Sequence, residues 1–181
     1  MRFSSCPGLL LLAALAACTE PADQSQKAAP AAPPHAALLT APYAGAYNWG
    51  DTTRAQAGGT LLVYPESDST VLLALDVSNG PPAFHLGQLY RRVVVRRGVG
   101  RCAFQSEEDM SDCRLRLAFS PQAVVVSTEQ GHAECGFGQG VSADETYRRT
   151  SAAVPPQFVD GEGRKVVFKN TTPEQFNSGS F

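Results

Sequence analysis

From Tyr43 onward, apolar and polar residues alternate in short runs of period two, punctuated by Gly, Pro, Asn and Asp. Val71, Leu73, Leu75 and Val77 alternate with Leu72, Ala74 and Asp76, which predicts a strand with a buried face. Leu61 to Tyr64 precedes it across Pro65-Glu66-Ser67-Asp68-Ser69, a connection suited to a hairpin, and Asn79-Gly80-Pro81-Pro82 ends that hairpin. Leu86 to Arg97 predicts a long strand that Gly98-Val99-Gly100 turns into Arg101 to Gln105. In the cleanest alternation, Cys113, Leu115, Leu117 and Phe119 point one way and Arg114, Arg116 and Ala118 the other. A half-wet antiparallel sheet requires this pattern. Ser120-Pro121-Gln122 turns it into Ala123 to Thr128, Gln130-Gly131 leads into His132 to Cys135, and Glu145 to Thr150 predicts a further strand.

Nowhere between 43 and 150 do apolar residues recur at i, i+3, i+4 and i+7 over three turns. The fold class is therefore all-β: a small antiparallel meander of seven or eight strands, closed as a barrel or folded as a sandwich. Closure is favoured because it removes edge strands that invite aggregation. Beyond Pro155-Pro156 a C-terminal hairpin is expected, Gln157 to Asp160 and Arg164 to Lys169 around Gly161-Glu162-Gly163. A lone hairpin is marginal in water, so it should dock on the sheet through Phe158, Val166 and Phe168. Residues 170–181 are polar and should fray, apart from one helical turn at Thr172 to Phe176.

Ahead of the alternating region the pattern is different. Residues 19–42 carry Pro21, Pro30, Pro33, Pro34 and Pro42 among alanines and glutamines, a composition for part polyproline II and part coil. Fully extended at ~3.1 Å per residue, such a tether reaches roughly 75 Å. His35 within it is expected to be a solvated side chain. Before the tether comes one positive charge, Arg2, then the nine-residue apolar run Leu9 to Ala17, too short for the ~20 residues that span a bilayer. This is the layout of a secretory signal peptide.

The run ends in Leu15-Ala16-Ala17-Cys18, which resembles the lipobox of bacterial lipoproteins. The resemblance implies cleavage before Cys18, a diacylglyceryl thioether on its sulfur and usually a further acyl chain on the new amino terminus. Two or three acyl chains hold a protein on a bilayer far better than one. Thr19 behind the cysteine is similar to the outer-membrane sorting preference of some Gram-negative bacteria, which implies the outer membrane; the expected location is a lipid anchor there with the domain in the periplasm. The expected organisation is thus a signal peptide at 1–17, a tether at 18–42 with lipid on Cys18, a barrel domain at 43–150, and a hairpin and tail at 151–181.

Composition narrows the partners. Removing residues 1–17 takes away one basic residue, Arg2, and moves the net charge from −2 to −3. A nucleic-acid partner demands a basic domain or stripe, so none is expected. Of five cysteines, Cys6 leaves with the signal and Cys18 takes the lipid. Cys102, Cys113 and Cys135 remain in a compartment where disulfides persist, so at most one internal pair forms. Chain entropy does not choose between pairings, which differ by ~0.6 kcal/mol.

The distinctive segment is Cys135-Gly136-Phe137-Gly138-Gln139-Gly140-Val141. A phosphate cradle would need a helix after it, and none is predicted, so it reads as a tight turn where glycine lets backbones approach. Together with Ala143-Asp144 and Tyr147, it resembles the closing motif of a group of uncharacterised secreted bacterial β-barrel proteins. In that group a Gly-x-Tyr, here Gly45-Ala46-Tyr47, opens the sheet, and a trailing hairpin ends in Pro-Glu-x-Phe, here Pro173 to Phe176. The resemblance implies a disulfide between Cys113 and Cys135, against the competing pair Cys102 and Cys113. The sequence departs from the group at Glu145, where glycine is usual, and in having Cys102.

Catalytic and metal chemistry find little to use. His132-Ala133-Glu134-Cys135 has only His85 to join it, short of the three or four ligands zinc takes. No cofactor is expected. Arg91, Arg92, Arg96 and Arg97 should divide between two strand faces as rim charges, partly neutralised by Glu107, Glu108, Asp109 and Asp112. The function expected is a non-enzymatic, lipid-anchored envelope protein that binds a partner protein or a small ligand. One alternative is a periplasmic inhibitor of a lytic enzyme, by fold-level similarity to lipid-anchored lysozyme inhibitors. The other is a thiol-dependent enzyme using Cys102 or Cys135. A hollow barrel would suit a small ligand; a filled one leaves protein partners.

Overall fold

The computed structural model describes residues 37–105, 112–130, 135 and 137–181. Eight antiparallel strands follow one another around a closed barrel: β1 (Gly45–Gly50), β2 (Gly58–Pro65), β3 (Thr70–Ser78), β4 (Leu86–Arg96), β5 (Val99–Gln105), β6 (Asp112–Phe119), β7 (Ala123–Gln130) and β8 (Thr146–Ser151), with β8 returning to β1. The all-β fold and the meander order are those the alternation predicts. Of the expected strand at His132 to Cys135, positions 132–134 lie outside the described residues, and Cys135 sits in a turn.

The interior is filled. Tyr47, Leu61, Val63, Leu73, Leu75, Leu115, Leu117, Val124 and Tyr147 belong to one buried cluster. Each large side chain taken from water contributes ~1.5–3 kcal/mol. The buried phenols have partners: Tyr47 donates to the Tyr43 carbonyl at 2.8 Å and Tyr147 to that of Ala143 at 3.3 Å. Burial raises the pKa of both groups.

The wall of β2, β3 and β4 is apolar on its outer side too, which the period-two reading of β3 did not anticipate. Leu62, Leu72, Ala74 and Tyr90 point outward and are buried by the C-terminal segment. That segment consists of a short hairpin, β9 (Gln157–Val159) with β10 (Lys165–Val167), and a helical turn, α1 (Pro173–Asn177). Phe158, Phe168 and Phe176 ring Tyr90 at 5.2, 5.8 and 5.5 Å between centroids. The Tyr90 hydroxyl donates to the Thr171 carbonyl at 2.9 Å, and burial pushes its pKa up to about 12. The docking expected of Phe158, Val166 and Phe168 is therefore present, but the fraying expected of residues 170–181 is not. A capping box at α1, with Thr172 N donating to Gln175 Oε1 at 2.8 Å and Gln175 N to Thr172 Oγ1 at 3.2 Å, holds the start of the turn. Phe176 then anchors it.

An ion pair fastens the same cover. Arg92 holds both Glu66 oxygens, at 2.7 and 2.8 Å, and reaches Glu174 on α1 at 2.9 Å. The bond from Arg92 holds the Glu66 carboxyl below its ordinary pKa, with burial acting against it. Arg92 is thus a clamp between barrel and helix rather than a rim charge. Glu107, Glu108 and Asp109 lie outside the described residues.

Residues 36–181 make one compact unit. Ahead of β1, Thr40 is buried and donates to the Ser67 carbonyl at 2.5 Å, and the Tyr43 ring packs on Phe119 at 5.3 Å. The chain thus joins the barrel at the end carrying the short turns β2–β3, β4–β5 and β6–β7. The longer connections β1–β2, β3–β4 and β7–β8 gather at the opposite end.

Gly87 on β4 admits Phe137 against the wall: a Cβ there would lie 2.5 Å from Phe137 Cγ. Gly87→Ala should therefore destabilise the protein by ~1–3 kcal/mol through overpacking, and adding Phe137→Ala should remove most of the Gly87→Ala penalty. Chemical denaturation of the two single variants and the double variant measures this coupling.

Candidate functional site

β4 and β5 are eleven and seven residues long, yet they pair only at Val94–Arg101, Val95–Gly100 and Arg96–Val99. Beyond Val94 the ladder stops: Val93 and Arg92 stand opposite Cys102 and Ala103 across a seam without pairing, and the positions opposite 87–89 lie outside the described residues. The β7–β8 pairing is also brief, but backbone bonds extend it at both ends, Val126 N to Glu145 O at 2.9 Å and Arg149 N to Gln122 O at 2.8 Å. On β4, main-chain groups of the odd-numbered residues turn to β3, as the bond from Val95 N to Ser69 O shows, so those of Gln88, Tyr90 and Arg92 turn to the seam. Two carbonyls on that side accept from groups outside β5: Leu86 O from Gly138 N at 3.2 Å, and Tyr90 O from the Arg91 guanidinium at 3.1 Å.

A cleft of about 710 Å³ lies along this seam. Its inner wall is Leu89, Arg91, Phe104, Cys135 and Phe137, and its outer rim is Glu162, Arg164 and Phe176 to Gly179. Arg91 occupies a strand position that otherwise faces the interior, with its guanidinium carbon 5.3 Å from the centre of the Phe104 ring. Arg164 is bonded to Asp160 at 2.7 Å and Glu162 at 3.1 Å and lies over the Phe181 ring.

The disulfide joins Cys113 to Cys135, the pair implied by the resemblance, and ties the β7–β8 connection to the start of β6. In that connection Gly138 packs closely on His85 and Leu86, as expected of a turn in which glycine permits close approach. Positive φ occurs in the motif at Gly140, 74°, as expected of a glycine turn, and also at Cys135, 47°. His85 Nδ1 lies 2.7 Å from the Gln139 carbonyl, so this histidine fastens two loops. His132 and Glu134 lie outside the described residues. Among the described residues no three His, Cys, Asp or Glu side chains form a group able to hold a metal.

Cys102 is buried in β5 on the interior side, and burial pushes its thiol up to about 11, with Arg91 acting weakly the other way. A nucleophilic cysteine needs the opposite shift. The seam was missed in the sequence, although a signal was present: along the inward register of β4, Gly87 and Arg91 interrupt Leu89, Val93 and Val95.

No protein-family model, curated protein or solved structure matches the chain.

With its thiol held protonated, native Cys102 should react with a disulfide reagent at pH 8 at least ~100-fold more slowly than in denaturant. A thiol count over time in the two conditions checks this, and rapid native reaction would reopen the thiol-enzyme reading.

Proposed function

We propose that this protein is a non-enzymatic lipoprotein of the bacterial cell envelope, anchored through lipid on Cys18 and working by binding a partner protein. The anchor rests on Leu15-Ala16-Ala17-Cys18 at the end of the apolar run, and Thr19 favours the outer membrane. The binding half rests on one observation: the interior is packed with side chains while a cleft of about 710 Å³ lies beside β4 on the outside of that core. A small ligand has no room inside such a core. The cleft and the end bearing the long connections are left as recognition surfaces, and residues 37–44 enter at the opposite end. Inhibition of a lytic enzyme is one form such binding could take.

The thiol-enzyme reading loses its support in the two cysteines it named. Cys135 is in the disulfide, and Cys102 is buried with its pKa raised.

Cells expressing the full chain and labelled with radioactive palmitate should mark the native protein and leave Cys18→Ser unlabelled, with the variant released into the soluble envelope fraction. Equal labelling of both, or of neither, would remove the anchor and the placement with it.

A further inference from the structure

We infer that the outer wall of β4–β8, at the end where residues 37–44 enter, docks on the anionic headgroups of the bilayer that holds the anchor. This rests on the lipid-anchor reading above. The C-terminal segment covers the outer side of β2, β3 and β4 at Leu62, Leu72, Ala74 and Tyr90. Farther round the barrel the outward side chains are exposed, among them Arg96, Arg101, Val125 and Arg148. The register lays one outward row across five strands: Arg96 pairs with Val99, Val99 with Ala118, Ala118 with Val125, and Val125 with Thr146. Arg148 stands two residues along β8, opposite Ala123. At ~4.8 Å between strands the row is roughly 19 Å wide. Its apolar middle is flanked by Arg96 and Arg97 on one side and by Arg148 on the other. Val94, the outward residue next to Arg96 on β4, and Val125 are 47% and 42% exposed. Between Arg96 and Arg101 a shallow hollow of about 380 Å³ is lined by Val94 and Val99.

Charge selects the occupant. Residues 18–181 carry a net charge of −3, yet Arg96, Arg97 and Arg148 have no carboxylate within ion-pair distance among the described residues. Arg101 and Arg116 are balanced in part by Glu129, at 2.9 and 4.0 Å, so the uncompensated charge sits at the row. The carboxylates of the β2–β3 turn are engaged, Glu66 by Arg92 and Asp68 by the Leu39 amide at 3.0 Å. Guanidinium forks take phosphate bidentately, and an apolar strip rimmed by cations suits the boundary between headgroups and acyl chains. An acidic protein segment would pair with the arginines but has nothing to place on the valines. Place agrees with chemistry. A Cβ at Gly98 of the β4–β5 turn would lie 3.5 Å from the Tyr43 hydroxyl, and Arg149, beside Arg148, donates to the Pro121 carbonyl at 3.0 Å. Lipid on Cys18 is therefore joined to the domain at this end, which raises the local concentration of headgroups at the row.

The test uses the chain from residue 18 onward with Cys18→Ser, which keeps the whole compact unit and carries no lipid. Binding is measured by sedimentation with vesicles of one-third phosphatidylglycerol in phosphatidylcholine, and with phosphatidylcholine alone. The chain should prefer the anionic vesicles at least ~tenfold, and the preference should fade between ~0.03 M and ~0.3 M salt. Arg97→Gln should weaken binding about fivefold, the contribution of one arginine near an anionic surface. Arg96→Gln with Arg97→Gln and Arg148→Gln should abolish the preference while circular dichroism stays unchanged. Arg54→Gln removes the same charge from the opposite end and should leave binding as it was. Equal binding to both vesicles overturns the proposal, as does equal weakening by Arg54→Gln and Arg97→Gln. A preference that survives in the folded triple variant also overturns it; if that variant misfolds, the two single substitutions decide. Binding to polyglutamate with no preference between the vesicles would give the wall to an acidic protein and sink lipid docking. Loss of the palmitate label would remove the anchor and leave the vesicle result standing, because the chain tested has no lipid.

Discussion

A barrel wall is continuous only while each strand finds main-chain partners on both sides, and here that condition lapses between β4 and β5. The lapse is local, since the hairpin turn at Arg97 and Gly98 and three pairs above it keep the two strands joined at one end. Farther up, Phe137, held by the Cys113–Cys135 disulfide and admitted by Gly87, occupies the inside of the opening. The interior thus stays dry and packed although one ladder does not close it. A buried main-chain group without a partner costs about as much as a lost hydrogen bond. Such a seam is tolerable because it borders a cleft rather than the core.

The C-terminal segment has two roles. Its aromatic residues cover an outer wall that would otherwise expose Leu62, Leu72 and Tyr90, and its last turn supplies the rim of the cleft. The Arg92 clamp connects these roles, because it reaches α1 from the very strand whose seam is open. A change in the cover would therefore be felt at the cleft. Residues 37–44 enter at the end with the short turns, opposite the longer connections.

Much of this fold was legible in the alternation. Val71 to Val77 and Cys113 to Phe119 announce strands with an apolar face, and Pro/Gly/Asn/Asp clusters mark the turns between them. The cover was half legible: Phe158 and Phe168 were expected to dock. Leu72 and Ala74 read as one face of a single-sided strand, because period two does not say what lies beyond the sheet. The order of the tail escaped because Thr172 and Gln175 read as polar surface until their mutual capping bonds are seen. The seam escaped because register is a tertiary property. Two strands of good propensity look alike in sequence whether or not their ladder is complete. The roles of Arg91 and Arg92 followed suit: adjacent arginines on one strand point to opposite faces, one into the cleft and the other onto Glu66 and Glu174.

Residue-resolved amide exchange of the protein alone tests the end of the β4–β5 ladder most directly. The account expects Arg91 and Val93, bonded to β3, to exchange slowly, while Arg92, opposite Ala103 beyond the last ladder pair, exchanges at least ~tenfold faster. Exchange at Arg92 as slow as at Arg91 and Val93 would mean that the ladder to β5 continues past Val94, and would contradict it.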